Sequence, residues 1–275
     1  MIVFFLLTFA ASWGCYLAAA AAARAGTDGA GAASALAPVL LYAGTFAPSI
    51  VAVSIEAAAR GRTGVDALLA PVLRWDVPVR WYVFALGYMP AIKLAATLGH
   101  RLISGGWPRF GEIPWYLLLA AVIVSTPVQA GEEIGWRGYA FPRLAAQLGF
   151  ARASILLGII WSVWHLPLFF IPGVDIYHQS FPLFLLAVTP LAVAMGWLYL
   201  QTAGSVLLTM VMHSAVNQTT LAVSAGSPAD TNPFSFSATP FAWLTIAFLW
   251  IGAVWCIRNN VTAGSAARKA ALPLS

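Results

Sequence analysis

Long apolar runs alternate with short polar breaks along the whole chain, and that pattern leaves few folds open to it. Eight runs, at about 2–23, 36–58, 81–99, 114–133, 153–171, 181–200, 205–225 and 240–257, approach the length that a hydrocarbon core demands of a helix. Composition agrees: 61% of the 275 residues are hydrophobic and only 8% are charged, where a soluble chain carries roughly a quarter. The expected fold is all-α, a polytopic transmembrane helical bundle of about eight spans. Residues 1–258 are read as one transmembrane domain and 259–275 as a disordered cytoplasmic tail. The first run ends in alanines, as a signal peptide can, but lacks a basic leading segment and is read as a retained span.

Charge sets the expected orientation. With the N-terminus inside, the inner segments carry ten basic residues, namely Arg60, Arg62, Arg74, Arg80, Arg137, Arg143, Arg152, Arg258, Arg268 and Lys269. The outer segments carry three, Arg24, Arg101 and Arg109. Eight spans with both termini inside satisfy the positive-inside rule, and an inner (cytoplasmic) membrane location follows. The net charge of +5 is spread over the ends of apolar runs. It therefore serves topology and the lipid bilayer, with no nucleic-acid partner expected. Cys15 and Cys256 lie far apart in apolar runs, so neither a disulfide framework nor a cysteine metal site is expected.

Against this apolar background one stretch stands out, Gly131-Glu-Glu-Ile-Gly-Trp-Arg-Gly-Tyr-Ala-Phe-Pro-Arg-Leu144. Ionisable residues at membrane depth are costly and mark function by default. Glu133 and Arg137 stand at i, i+4 and share a helix face, with Glu first, the better order for an ion pair. Glu132 lies about 100° round the helix and cannot reach the same arginine equally well. One carboxylate is paired and the other is left for proton transfer. Gly131 and Gly135 form a small-residue step that admits a close helix neighbour.

Two further polar motifs lie in later spans: Trp161-Ser-Val-Trp-His165-Leu-Pro167, with Trp161 and His165 at i, i+4, and His213-Ser-Ala-Val-Asn217, again at i, i+4. Pro167 cannot donate to the carbonyl of Val163 and weakens the helix beside His165. Counting from a turn near Gly149, Glu132 lies 17 residues before it and His165 16 after it. An antiparallel hairpin brings them level, about 25 Å from the turn. Glu132, Glu133, His165, His213 and Asn217 are thus expected to face one cavity, placed in the inner half of the membrane. A lone buried His or Asn is often only an interhelical hydrogen bond; three motifs at compatible depth point to a site. Arg143 and Arg152 read as interfacial anchors, and Asp175 and His178 as solvated loop residues. Lys93 either snorkels or pairs with Glu56 and has no assigned role.

These motifs resemble the CPBP family of intramembrane proteases, the CAAX-processing and bacteriocin-processing group also called Abi. Its Glu-Glu-x-x-x-Arg motif matches Glu132, Glu133 and Arg137, followed by the Gly-Tyr-x-x-Pro-Arg-Leu run typical of bacterial members. Its Phe-x-x-x-His motif matches at His165, with Trp161 where Phe is usual. Its His-x-x-x-Asn motif matches His213 and Asn217. The resemblance covers about residues 114–225 and agrees with the family's eight-helix architecture.

The resemblance implies an endopeptidase that acts on a membrane-associated peptide or protein. It assigns water activation to Glu132 and His165, oxyanion stabilisation to His213 and Asn217, and a site-shaping role to Glu133 and Arg137, with Trp161 as an aromatic wall. The residue pattern is compatible. Glu132 is the carboxylate without a local cation, and an imidazole and an amide on one face can serve an oxyanion. No cofactor is preferred. Were zinc held instead, its ligands would be Glu132, His165 and His213; no His-Glu-x-x-His motif accompanies them. Two other readings compete: a proton- or ion-coupled transporter, and a non-catalytic bacteriocin-immunity scaffold. The apparent bareness of the outer half weighs against the first, and the intact motifs against the second.

Overall fold

The computed structural model describes residues 1–27, 31–108, 110–111, 113–223 and 232–270, with side chains described outside 25–35 and 261–270. Every regular element among them is helical: α1 (Ile2–Thr27), α2 (Gly31–Leu69), α3 (Val79–Ser104), α4 (Trp115–Ser125), α5 (Ala130–Glu133), α6 (Phe141–Leu148), α7 (Phe150–Trp164), α8 (Phe181–Gln201), α9 (Val206–Ala222) and α10 (Pro240–Ala270). The protein is a polytopic helical bundle, as its apolar runs demand.

Seven described helical segments are long and apolar enough to cross a membrane, one fewer than expected. The remaining predicted span, 205–225, is α9, whose described helix has 17 residues. It is buried over most of its length, against α3, α4 and α8, so protein surrounds it rather than lipid. Its length, about 26 Å at 1.5 Å per residue, still sits at the lower edge of a span. At the other extreme, the backbone of α10 stays helical to Ala270, beyond Asn259, where the sequence reading ends the domain and expects disorder. Residues 260–270 include four alanines and neighbouring Arg268 and Lys269, all helix formers. Residues 226–231 of the expected outer loop, Arg109 and residues 271–275 lie outside the described residues, as do the side chains of Arg268 and Lys269.

Two ends can be told apart. One carries the Ala70–Leu73 turn, Gly149 and Gly204. There the Arg74 guanidinium donates to the Ala203 carbonyl, and Ser205 Oγ donates to the Arg74 carbonyl at 2.7 Å. The other carries the connections after α3, α7 and α9. There Gly111 N–H reaches the Ala222 carbonyl at 2.7 Å, and Phe181 N–H reaches the Pro233 carbonyl at 2.7 Å. The arginine-rich end is the former. Arg143 and Arg60 both pair there with the buried Glu56 carboxylate, so Glu56 is not a partner for Lys93 and Arg143 is tied into the bundle. Arg137 is 1% exposed in the core, which removes it from the count of orienting charges.

Candidate active site

The fourth apolar run does not form one continuous α-helix. After α4 comes a 3-10 turn, Thr126–Gln129, then α5, then a π segment, Ile134–Ala140, then α6. Prolines flank the irregular stretch. Pro127 stands at the start of the 3-10 turn and Pro142 at the start of α6. Pro142 has no N–H for the Gly138 carbonyl, and the preceding turn widens so that Phe141 N–H reaches back five residues to Trp136. Wide turns of this kind recur at functional sites.

Helix α2 locks the stretch in place. Ser49 Oγ donates to the Ala130 carbonyl at 2.6 Å and accepts from Gly135 N–H at 3.2 Å. A Cβ on Gly135 would stand 2.6 Å from the Pro48 backbone, and one on Gly131 2.8 Å from the Phe46 ring. The small-residue step expected from Gly131 and Gly135 therefore receives α2.

The adjacent glutamates part company as the helical angles require. Glu133 is fully buried, and its Oε1 accepts from Arg137 at 2.7 Å and from His213 Nδ1 at 3.0 Å. Arg137 also lies over the Trp161 ring, 4.2 Å from its centre, and reaches the Met195 sulfur at 3.3 Å. Glu132 turns the other way: its Oε2 accepts from the Trp161 indole N–H at 2.8 Å, and it lines a cavity. Trp161 is thus more than an aromatic wall, since a Phe in its place offers no donor.

The two histidines carry their protons on the same ring atom. His165 caps α7, where Pro167 opens the 3-10 segment Leu166–Phe170, and its Nδ1 is 2.8 Å from the Trp161 carbonyl. A carbonyl only accepts, so Nδ1 carries the hydrogen and Nε2 keeps its lone pair. His213 Nδ1 likewise donates to Glu133, which leaves its Nε2 free. His213 donates from both nitrogens only as an imidazolium, and the Glu133 carboxylate lies where that charge would be balanced. Asn217, one turn along α9, is exposed to the cavity.

The cavity has a volume of about 700 Å³. Glu132, Trp161, His165, His213 and Asn217 share its wall; Glu133 and Arg137 stand behind it. The rest of the lining is mainly apolar, from α3, α8, α9 and α10, including Met89, Phe184, Leu191 and Leu249. Its mouth lies at one end of the bundle. Asp175, His178, Gln179, Asn232 and Ser235 line it, and all belong to connections at the end opposite the arginine-rich one. The counted 25 Å from Gly149 is most of a hydrocarbon core of roughly 30 Å, so the cluster stands toward the end of the bundle away from Gly149. Asp175 and His178 are cavity residues. Toward the arginine-rich end the cavity is closed by packed Trp136, Phe141, Met195, Leu198, Leu208 and Met212, all nearly inaccessible. That plug now supplies the argument against a through-going transport route.

Sequence reasoning passed over two groups at this site. One is the Trp161 donor, visible once the indole is granted a hydrogen-bonding end. The other is Lys93, which lines the cavity from α3. An uncompensated lysine in the middle of an apolar run was its signal. Among the described residues no three His, Cys, Asp or Glu side chains come together in a metal-holding group, the trio Glu132, His165 and His213 included.

Comparison with known proteins meets this geometry. The family model described as type II CAAX prenyl endopeptidase Rce1-like matches residues 112–219. CAAX prenyl protease 2 of Methanococcus maripaludis is 33% identical over 144 residues, 49% of this chain and 50% of that protein. The chain thus spans about half the length of the curated relative that it matches. Both matches agree with the three ordered motifs: the matched residues 112–219 contain every residue from Glu132 to Asn217 and are similar to the CPBP family of intramembrane proteases.

Proposed function

We propose that the protein is an intramembrane endopeptidase of glutamate type, cleaving a membrane-associated peptide or protein whose scissile bond enters the cavity beside Glu132. The observation that carries this reading is the division of labour between the two glutamates. Glu133 is consumed by Arg137 and His213, whereas Glu132 faces the cavity with one oxygen held by Trp161. The other oxygen of Glu132 and Nε2 of His165 are the two acceptors for a water between them. Glu132 takes a proton from that water as its oxygen bonds to the carbonyl carbon. The carbonyl oxygen becomes an oxyanion, which the Asn217 amide and the His213 ring receive. The C–N bond then breaks as the leaving nitrogen takes the proton from Glu132, and the carboxylate is restored.

No step in this scheme needs a metal, and among the described residues no three-ligand group is found, so we read the chemistry as metal-independent. The relative's name adds a prenylated CAAX segment as one form of the substrate class. Because the arginines collect at the other end, we place the cavity mouth on the non-cytoplasmic face of the cytoplasmic membrane. The test is cleavage of a pooled peptide library by detergent-purified protein, read by mass spectrometry. Cleavage that persists in chelator and falls at least a hundredfold in both His213→Ala and Asn217→Ala supports the reading. Loss in chelator restored by zinc, or full activity in both variants, overturns it.

A further inference from the structure

Lys93 is 4% exposed, midway along α3, and lines the same cavity as Glu132, His165, His213 and Asn217. Its ammonium donates to the Val223 carbonyl at 3.1 Å and stands 5.1 Å from the centre of the Phe241 ring. Neither contact neutralises it. An ammonium has three hydrogens to give, and one is used. None of the buried carboxylates is paired with it: Glu133 is held by Arg137 and His213, Glu56 by Arg60 and Arg143 at the arginine-rich end, and Glu132 accepts from Trp161 through one oxygen. Asp175 lines the cavity but makes no ion pair with Lys93, which forms none among the described residues. A charge withdrawn from water without a counterion is unfavourable. The cavity is where a counterion can enter, and hydroxyl-bearing Thr220 and Thr245 line it too.

We infer that Lys93 forms an anion subsite of the cavity, taking a carboxylate carried by the substrate and so fixing how far the peptide enters past Glu132. This rests on the proteolytic reading. The carboxylate is either the free C-terminus of the peptide or an acidic side chain near the cleaved bond. A charge-assisted contact at a desolvated site is worth roughly tenfold to a hundredfold in affinity.

Three matched fluorescent peptide pools separate the sources: free C-terminal acid, C-terminal amide, and amide with one Glu at successive positions. Each is tested for KM and kcat with wild type, Lys93→Met and Lys93→Arg. Each is also tested for direct binding by fluorescence anisotropy to the same three proteins carrying Glu132→Gln. The expected result is a preference of wild type for one acidic pool over the amide of at least tenfold, expressed in KM. Lys93→Met flattens that preference and Lys93→Arg retains it. The acid pool that is preferred names the source. No acid preference in binding, or one that survives Lys93→Met, overturns the subsite; so does failure of all three pools to bind. Acid-selective binding that depends on Lys93 but comes without cleavage of any pool supports the subsite while refuting proteolysis, so the two ideas fail separately.

Discussion

Removing Arg137 tests how the buried network holds the site together. Arg137→Met keeps much of the side-chain volume but leaves the Glu133 carboxylate fully buried with His213 as its remaining partner. Its Oε2 already lacks a hydrogen-bond partner among the described residues. Breaking a buried pair by deleting one member costs about 3–5 kcal/mol. Loss of the guanidinium from above the Trp161 ring acts in the same direction. Proteins a little smaller than this one lose about 2–4 °C in Tm per kcal/mol, so the expected fall is roughly 6–20 °C. The assay is thermal unfolding of detergent-purified protein followed by tryptophan fluorescence. Adding Glu133→Gln removes the stranded charge and keeps an acceptor for His213, so the double variant recovers more than half of the loss. A double-mutant cycle separates this from generic damage. Single variants whose effects simply add, with coupling below about 0.5 kcal/mol, would refute the claim that Glu133 and Arg137 act as one unit.

Other outcomes follow from the same geometry. Gly135→Ala drives a Cβ to 2.6 Å from the Pro48 backbone and is expected to lose about 1–3 kcal/mol in the same unfolding assay, whereas Gly138→Ala, whose nearest neighbour is 3.5 Å away, unfolds within about 1 kcal/mol of wild type. Trp161→Phe keeps an aromatic ring under Arg137 and deletes the N–H to Glu132. A hydrogen bond to a charged group contributes about 1.5–3 kcal/mol, so kcat/KM for a cleaved peptide falls roughly 10- to 150-fold, and a change under threefold contradicts a role for that donor. Gln179→Cys, in a protein with Cys15→Ala and Cys256→Ala, is expected to react with a membrane-impermeant maleimide on intact cells, while Arg62→Cys reacts only after permeabilisation; the reverse pattern inverts the proposed orientation.

Much of the site was legible because its logic is local or counts from one landmark. The Glu133–Arg137 pair follows from helical spacing alone. Glu132 and His165 come level because both are counted from Gly149, and the count tolerates the irregular turns between Pro127 and Pro142. Where the cavity opens was not legible, since the opening is made by connections after α7 and α9 that carry no motif. Arg137 misled in the opposite way: it looks like a topological charge in the sequence and is a core residue in the fold. Lys93 could not be placed because its neighbours, Val223 and Phe241, are distant in the chain and meet it only through the packing of α3 against α9 and α10. The Trp161 donor was within reach, for a Trp standing where Phe is usual brings a hydrogen that must find an acceptor.

The central claim is that Glu132, and not its neighbour, moves the proton. Its most direct test is the single-turnover cleavage rate of one identified peptide by Glu132→Gln and by Glu133→Gln, each saturated with peptide and kept in chelator. The isosteric amide at 132 still accepts from Trp161 but cannot take a proton from water, so the account predicts a loss of at least a thousandfold there. Glu133→Gln keeps its acceptor for His213 and is predicted to retain a measurable rate. Cleavage by Glu132→Gln within tenfold of wild type would contradict the account.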